Sequence, residues 1–233
     1  MKKSKRLWLI VSACVAAAAV IAVAAVALFA DSEIDLGKNI SYMDKYAYFG
    51  SNANFAVTVN AGVGEKTFLT DGKVGETAEF CKISLVVVNS SYTKLESFGY
   101  ELTAGGEKLS GTFKKDVLTL EFNDQTAIKN PETVESVVIV YATTHRDTIS
   151  LANMLEGRLS ATDAVDAAVK VFAKEIKSNT KNKIFPREIY VKFVTGYGGE
   201  EPYYWYVAFI ASETDFWAVL LDSRTGAVDV KKG

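Results

Sequence analysis

An uncharged run of 24 residues, from Leu7 to Ala30, places the strongest constraint on what this chain can form. As a helix rising about 1.5 Å per residue, the run would be about 36 Å long, enough to cross a hydrocarbon core about 30 Å thick. Four cations precede the run and three acidic residues follow it closely, a pattern that favours a cytoplasmic N-terminus. The sequence therefore predicts a basic tip and a transmembrane helix within residues 1–30, with residues 31–233 outside the cytoplasm of a bacterial-type cell.

Two kinds of processing are alternatives to a retained helix. A cleaved signal peptide also begins with cations, and Ala25–Ala27 offers a small-residue cleavage site, but the apolar core of a signal peptide is only about 7–15 residues long. Val11–Cys14 is similar to a lipobox, whose cysteine would be lipidated, yet sixteen further residues of the apolar run follow Cys14. The length of the run therefore favours the transmembrane helix over both alternatives.

Charge and cysteine content limit the partners that the exported part can bind and the interactions that can stabilise it. The chain has 26 cations and 28 anions, and without the four N-terminal cations the exported part has 22 against 28, a net charge of −6. This balance argues against a nucleic-acid partner and against a polybasic lipid-binding surface. Cys81 is the only cysteine after the apolar run, so the exported part has no internal disulfide and depends on its apolar core for stability.

Residues 31–142 are rich in short strand-forming segments separated by turn residues. These segments are 55–59, 79–89, 98–103, 116–122 and 134–141. Several short strands with few helical stretches predict a β-sandwich-like domain, with an immunoglobulin-like arrangement preferred. The following segment, 143–158, is polar and unpatterned, which predicts a linker or a short helix over Ser150–Glu156.

Residues 159–233 combine one helix with several strands. Ser160 is a suitable N-cap, and Asp163 falls in the first helical turn, where the helix dipole favours an anion. An apolar stripe at helical spacing follows, made of Val165, Ala168, Phe172 and Ile176. Strands are predicted over 189–194, 203–211, 216–221 and 227–230. The overall fold class is therefore predicted to be α+β.

The order of one helix and several strands in this last third resembles a PepSY domain, a small exported module. The residues that carry the resemblance are the alanine-rich helix Ala161–Ile176, the apolar strand Tyr204–Phe209 and the ending Ala218–Val228. Within that ending, Asp222 is expected to accept backbone N–H bonds across a turn with Thr225, and Gly226 is expected to supply a positive φ. The resemblance implies one helix packed on an antiparallel sheet. Long connections at Ser178–Glu188 and Gly196–Pro202 depart from the family pattern.

Few residues are suited to catalysis or metal binding. His145 is the only histidine and lies in a polar stretch, a poor position for a rigid catalytic triad. One histidine and one exported cysteine cannot build a typical zinc site. Gly62–Thr67 lacks the full spacing of a phosphate loop and is interpreted as a turn, and Glu200-Glu201 as a solvated loop. No catalytic residue, metal or cofactor is therefore assigned.

An aromatic cluster on two neighbouring predicted strands is the main candidate for binding. Alternation places Trp205, Val207 and Phe209 on one face of the sheet, and Tyr204 and Tyr206 on the other. One helix covers only one face of a small sheet, so the opposite face must meet the β domain, a partner or water. Tyr204 and Tyr206, with Trp217 of the next strand, are the candidate partner surface, since tyrosine and tryptophan are favoured at interfaces.

These observations predict a non-enzymatic binding or regulatory protein, anchored in the cell membrane and facing a partner in the cell envelope. PepSY-like domains are associated with restraining or assisting peptidases, so the resemblance implies a peptidase or another envelope enzyme as the partner. A structural component of an envelope complex is an alternative, and a carboxylate-dependent envelope hydrolase is another.

Overall fold

A computed structural model describes residues 35–116, 121–129, 131–195 and 201–233. The predicted transmembrane helix lies outside these residues, as does most of the predicted strand 116–122. Within the described parts of the chain, no helix combines the length and the apolar character needed to cross a bilayer. The fold of these parts is α+β, mostly strand with two helices, as the sequence predicts.

Fourteen strands and two α-helices are present in the described residues. The strands of the first part are β1 Ile40–Ser51, β2 Phe55–Glu65, β3 Thr77–Val87, β4 Gly99–Ala104, β5 Glu107–Thr112, β6 Lys114–Lys115, β7 Phe122–Gln125, β8 Val134–Tyr141, β9 His145–Ser150 and β10 Ala152–Asn153. The last part contains α1 Ala161–Val171, α2 Ala173–Asn179, β11 Glu188–Val194, β12 Tyr204–Ile210, β13 Phe216–Asp222 and β14 Val228–Lys232.

One large sheet joins the two halves of the chain. Its strand order is β14-β13-β12-β11-β1-β2-β3-β7-β6, and β10 also pairs with β1. All of these pairings are antiparallel except that of β1 with β11, which is parallel and pairs Tyr42 with Tyr190 and Met43 with Val191. A second sheet has the order β5-β4-β8-β9. The strand β1, which the sequence pattern did not single out, is thus the connection between the β-rich part and the C-terminal part.

Two apolar cores lie on this framework. The sandwich core packs the second sheet on β2 and β3, with fully buried side chains such as Phe55, Val57, Ile83, Phe98, Leu102 and Ile139. The helix core packs α1 and α2 on β11–β13, with Ala164, Ala168, Phe172, Ile189, Trp205 and Phe209 among its buried members. Strand β1 contributes to both cores, through Tyr48 to the first and Ala47 to the second.

The start of α1 agrees with the sequence prediction. The Asp163 N–H donates to the Ser160 hydroxyl at 3.2 Å, and the Ser160 N–H donates to the Asp163 carboxylate at 3.1 Å, which together form a capping box. The predicted stripe of Val165, Ala168, Phe172 and Ile176 is buried. Phe172 interrupts the helix, so the predicted single helix is two consecutive helices.

The segment 143–158 differs from the expected linker or short helix. It contains β9, which pairs with β8, and β10, which pairs with β1. Ala142 and Thr143 adopt positive φ values of 45° and 73°, so the chain reverses directly from β8 into β9. Strand β9 lies at the edge of its sheet and is mostly exposed, which explains why its sequence is polar and lacks a clear apolar alternation.

Candidate functional site

A row of aromatic rings crosses the large sheet from β3 to β12. The ring centroids are 5.1 Å apart between Phe80 and Tyr42, 4.7 Å between Tyr42 and Tyr190, and 6.3 Å between Tyr190 and Tyr206. Ile189, Val191 and Phe193 point into the helix core, so Tyr190 and its neighbour Tyr206 lie on the opposite, helix-free face of β11 and β12. We refer to Phe80, Tyr42, Tyr190 and Tyr206 as the aromatic row.

A glycine in β2 allows the row to be continuous. Gly64 pairs with Tyr42 on one side and with Ala78 of β3 on the other. A Cβ atom at Gly64 would lie 3.1 Å from Cδ2 of Tyr42 and 3.5 Å from the Phe80 ring, so any side chain there would push against both rings. Because residue 64 has no side chain, the Tyr42 ring can cross β2 and stack on Phe80.

A buried carboxylate lies beneath the row. The Tyr42 hydroxyl donates to Oδ1 of Asp44 at 2.8 Å, and the backbone N–H of Phe193 donates to Oδ2 at 3.0 Å. Asp44 is fully buried, and this burial raises its pKa to about 6, although the two hydrogen bonds act in the opposite direction. Burial, with the charge of Asp44 as a second cause, also raises the pKa of the Tyr42 hydroxyl. The tyrosine is therefore held as a neutral donor.

The long loop between β2 and β3, residues 66–76, reaches the row at Tyr190. The Phe68 ring lies 5.6 Å from the Tyr190 ring, and Phe68 remains 44% exposed. The Glu65 carboxylate shapes the loop, since it accepts hydrogen bonds from the backbone N–H groups of Gly75 and Leu69. Gly72 has a positive φ of 78° and lies close to the carbonyls of Ala211 and Pro186.

A second buried carboxylate, Glu188, lies at the start of β11. Glu188 is fully buried, and neither of its carboxylate oxygens accepts a hydrogen bond of normal geometry from the described residues. Burial is the largest cause that raises its pKa, to about 7; the nearby Ser41 hydroxyl and Gly72 N–H act in the opposite direction, while the negative charges of Glu65 and Asp71 add to the rise. The described residues contain no group of acidic, histidine or cysteine side chains arranged to hold a metal ion.

A groove of about 720 Å³ extends from the Phe80 end of the aromatic row. Tyr42, Gly64 and Phe80 form part of its lining, together with residues of β3, β6 and β7. The lining contains both cations and anions, including Lys82, Lys114, Lys115, Glu79 and Asp124. A groove with an aromatic end and mixed charges is suited to an extended polar chain that carries both signs of charge.

The structure separates the three residues of the predicted partner surface. Tyr204 and Tyr206 lie on the helix-free face and are partly exposed, as predicted. Trp217 does not, because its strand register places it opposite Phe209, on the helix side. There it stacks on Phe172 with ring centroids 5.9 Å apart and lies 4.0 Å from the Arg187 guanidinium. Trp217 is partly buried and packs against the helix core, so, contrary to the prediction from the sequence, it does not share one surface with Tyr204 and Tyr206.

The turn that carries the family resemblance has the expected geometry. Oδ1 of Asp222 accepts hydrogen bonds from the backbone N–H groups of Arg224 at 3.1 Å and Thr225 at 2.8 Å, and from the Thr225 hydroxyl at 2.7 Å. The bonds from Thr225 are the main cause that lowers the pKa of Asp222. Gly226 has a positive φ of 70°. These residues shape a turn and do not line the aromatic row.

Among the other residues singled out in the sequence, only the segment Gly62–Thr67 adjoins the row, through Gly64. His145 is exposed in β9, with its ring 5.4 Å from Tyr141, and Cys81 is buried as a free thiol. The Glu201 carboxylate pairs with Arg158 and Arg224, at 2.7 Å each. Gly62–Thr67, interpreted as a turn, is largely the end of β2.

Sequence reasoning missed Tyr42, Phe80, Tyr190, Asp44 and Glu188. A signal was present in the two glycines of β2, Gly62 and Gly64, because a glycine inside a strand often marks a close approach of other groups. Tyr42 and Asp44 are also two residues apart, the spacing that places side chains on one face of a strand. Compared with family models, curated proteins and solved structures, the chain gives no match.

Proposed function

We propose that this chain is a membrane-anchored, extracytoplasmic binding or regulatory protein that holds an envelope partner on the aromatic row and the adjoining groove. The anchor would be the apolar run Leu7–Ala30. The aromatic row carries the proposal, since half-buried rings on a face without a covering helix combine apolar area with hydroxyl groups that can bond a partner. The β-rich part would be an immunoglobulin-like sandwich and the C-terminal part a PepSY-like domain.

The C-terminal elements support the PepSY-like assignment. Helices α1 and α2 precede four antiparallel strands in the order β11-β12-β13-β14, and the turn from Asp222 to Gly226 joins the last two. This order is the one that the resemblance implies. By that resemblance, a peptidase or another envelope enzyme is the leading partner.

The carboxylates near the row favour binding over catalysis. Both oxygens of Asp44 accept hydrogen bonds from this chain, and Glu188 is closed off from solvent. A general acid or base must come within hydrogen-bond reach of its substrate. Neither side chain can do so in this arrangement, so the two carboxylates are better explained by the packing of β1 and β11.

Site-specific photo-cross-linking in the native cell tests the proposal. A benzophenone amino acid in place of Tyr206 should give an adduct with a peptidase or another envelope enzyme. The matched control places the same cross-linker at Tyr92, which is also a half-buried tyrosine but packs on the sandwich core. Adducts with a fixed set of assembly subunits would favour the structural alternative. Equal adducts at both positions, or none at Tyr206, would refute the aromatic row as the binding surface.

A further inference from the structure

Three exposed apolar side chains lie in the two loops at the start of β11. Phe68 and Leu69, in the β2–β3 loop, are 44% and 59% exposed, and Ile184, in the loop before β11, is 68% exposed. The two loops meet, because a Cβ at Gly72 would lie 3.3 Å from the carbonyl oxygen of Pro186. Phe68 also contacts Tyr190, but Leu69 and Ile184 expose most of their surface to water, and exposed apolar side chains grouped at one end of a fold can mark a membrane contact.

The chain enters the fold at the same end. The Asn39 side-chain amide donates to the carbonyls of Phe185 at 2.9 Å and Arg187 at 2.7 Å, which fixes the turn Leu36–Asn39 beside the Ile184 loop. Only five residue steps separate Ala30, the last residue of the apolar run, from Asp35. A connection of this length spans at most about 18 Å. If the run lies in a membrane, this end of the fold must face that membrane closely.

The charges at this end fit contact with a lipid surface through apolar side chains. Lys181 and Lys183 come shortly before Ile184 in the same loop, and lysine side chains can lie along an apolar boundary while the ammonium group reaches the headgroups. Acidic residues such as Asp71 are also present in these loops. The attraction therefore depends on the apolar tips and not on an excess of positive charge.

From these observations we propose that Phe68, Leu69 and Ile184 insert into the headgroup boundary of the membrane that holds the anchor, and so fix the orientation of the fold on the outer surface. The inference rests on the anchoring part of the proposed function, and it is independent of the partner. Contact at two loops as well as at the anchor would hold the start of β11 at the membrane. The fold would then have one preferred orientation instead of turning freely about residues 31–35.

Spin-label accessibility on the full chain in lipid nanodiscs tests this inference. A nitroxide is attached to Leu69→Cys or Ile184→Cys, with Cys14→Ala in each variant, and the nanodiscs contain phosphatidylcholine with phosphatidylglycerol. The matched control is Val88→Cys, since Val88 is 56% exposed against 59% for Leu69 and lies just beyond the opposite end of β3. That strand has 11 residues, so the two ends are about 35 Å apart.

Labels at 69 and 184 should collide with a water-soluble nickel chelate about fivefold less often than the label at 88, because interfacial groups lie about 5–10 Å into the headgroup boundary. Because the contact is apolar, the protection should persist in discs of phosphatidylcholine alone. Loss of protection in those discs would refute an apolar contact with the membrane. If all three labels are equally accessible while the chain co-elutes with the disc, the inference is refuted and the anchor stands. If the chain elutes without the disc, the anchor fails and the inference fails with it.

Discussion

The Asp44 carboxylate accepts a hydrogen bond from the backbone N–H of Phe193, 3.0 Å away, at the point where β1 and β11 diverge. The last paired residues of these parallel strands are Met43 and Val191, so this N–H has no partner in the ladder. Asp44 satisfies it and at the same time accepts a bond from the Tyr42 hydroxyl. One side chain thus links the junction of the two halves to the aromatic row.

Replacing Asp44 should weaken this junction. Asp44→Ala would leave the Phe193 N–H and the Tyr42 hydroxyl without their partner, and we expect a loss of about 1–3 kcal/mol in the free energy of unfolding. Urea unfolding at pH 5 measures this cost with the carboxyl mostly neutral, below its pKa of about 6. The control Asp229→Ala changes an exposed residue of β14 and should have little effect. Equal stability of the two variants would show that the junction does not depend on Asp44.

The raised pKa of the Glu188 carboxyl predicts that the free energy of unfolding falls as the pH rises. Its pKa is raised from 4.5 in the unfolded chain to about 7 in the folded one, so the folded state binds the proton more tightly. The contribution is therefore favourable at low pH and is lost between about pH 4.5 and about pH 7. Glu188→Gln should flatten this part of the stability profile, measured by urea unfolding at a series of pH values.

Asp44 should account for the pH dependence of stability that remains after Glu188 is replaced. In Glu188→Gln, the decline from Asp44 should persist between about pH 3.8 and about pH 6. Glu213→Gln, in the exposed turn before β13, should keep the full profile of the unmodified chain. A Glu188→Gln profile that matches the unmodified chain would mean that Glu188 is not buried as an unpaired acid.

The two cores should unfold together, because β1 contributes side chains to both. Val57→Ala removes buried volume from the sandwich core and should cost about 1.5–3 kcal/mol. Fluorescence of Trp205 and Trp217 reports on the helix core. We expect the variant to shift one single transition in that signal, with the exposed Val86→Ala as control. If Val57→Ala leaves the fluorescence transition unchanged, the result would instead support independent domains divided near residues 143–158.

The two faces of β12 should respond differently to truncation. Trp205 is fully buried, and its indole N–H donates to the Leu159 carbonyl at 3.0 Å, so Trp205→Ala should cost about 3–5 kcal/mol. Tyr204 lies on the opposite, partly exposed face, so Tyr204→Ala should leave folding nearly intact while weakening partner capture. Urea unfolding and a pull-down with the full chain compare them. A similar loss of stability in both variants would mean that both faces are core.

Gly226 in the final hairpin can be compared with Gly106, in the turn between β4 and β5, because both have a positive φ. Gly226→Val and Gly106→Val each force a β-branched residue into a left-handed conformation, at a cost of about 1–3 kcal/mol. A Cβ at Gly226 would also lie 3.1 Å from Cδ1 of Leu159, whereas nothing lies within 4 Å at Gly106. Thermal or urea unfolding should therefore rank Gly226→Val as the less stable variant. The reverse order would argue against tight packing of this turn.

The sequence by itself determined the local features whose signals lie within a few residues. The capping box of Ser160 and Asp163, the buried stripe of α1 and α2, and the turn from Asp222 to Gly226 all follow from short-range geometry. The alternation that separates Trp205 from Tyr206 is equally local. The transmembrane helix, the PepSY-like domain and the partner stay predictions.

Only the tertiary structure decided the features that depend on strands far apart in sequence. Tyr42 and Tyr190 meet because β1 pairs in parallel with β11, and Phe80 joins them because Gly64 leaves room between. Trp217 lies on the helix side because its cross-strand partner is Phe209, a register that its own strand does not specify. The periodicity of a strand determines which of its side chains share a face, but it does not determine which other strand pairs with it. For that reason the aromatic row could not be read from any single segment of the chain.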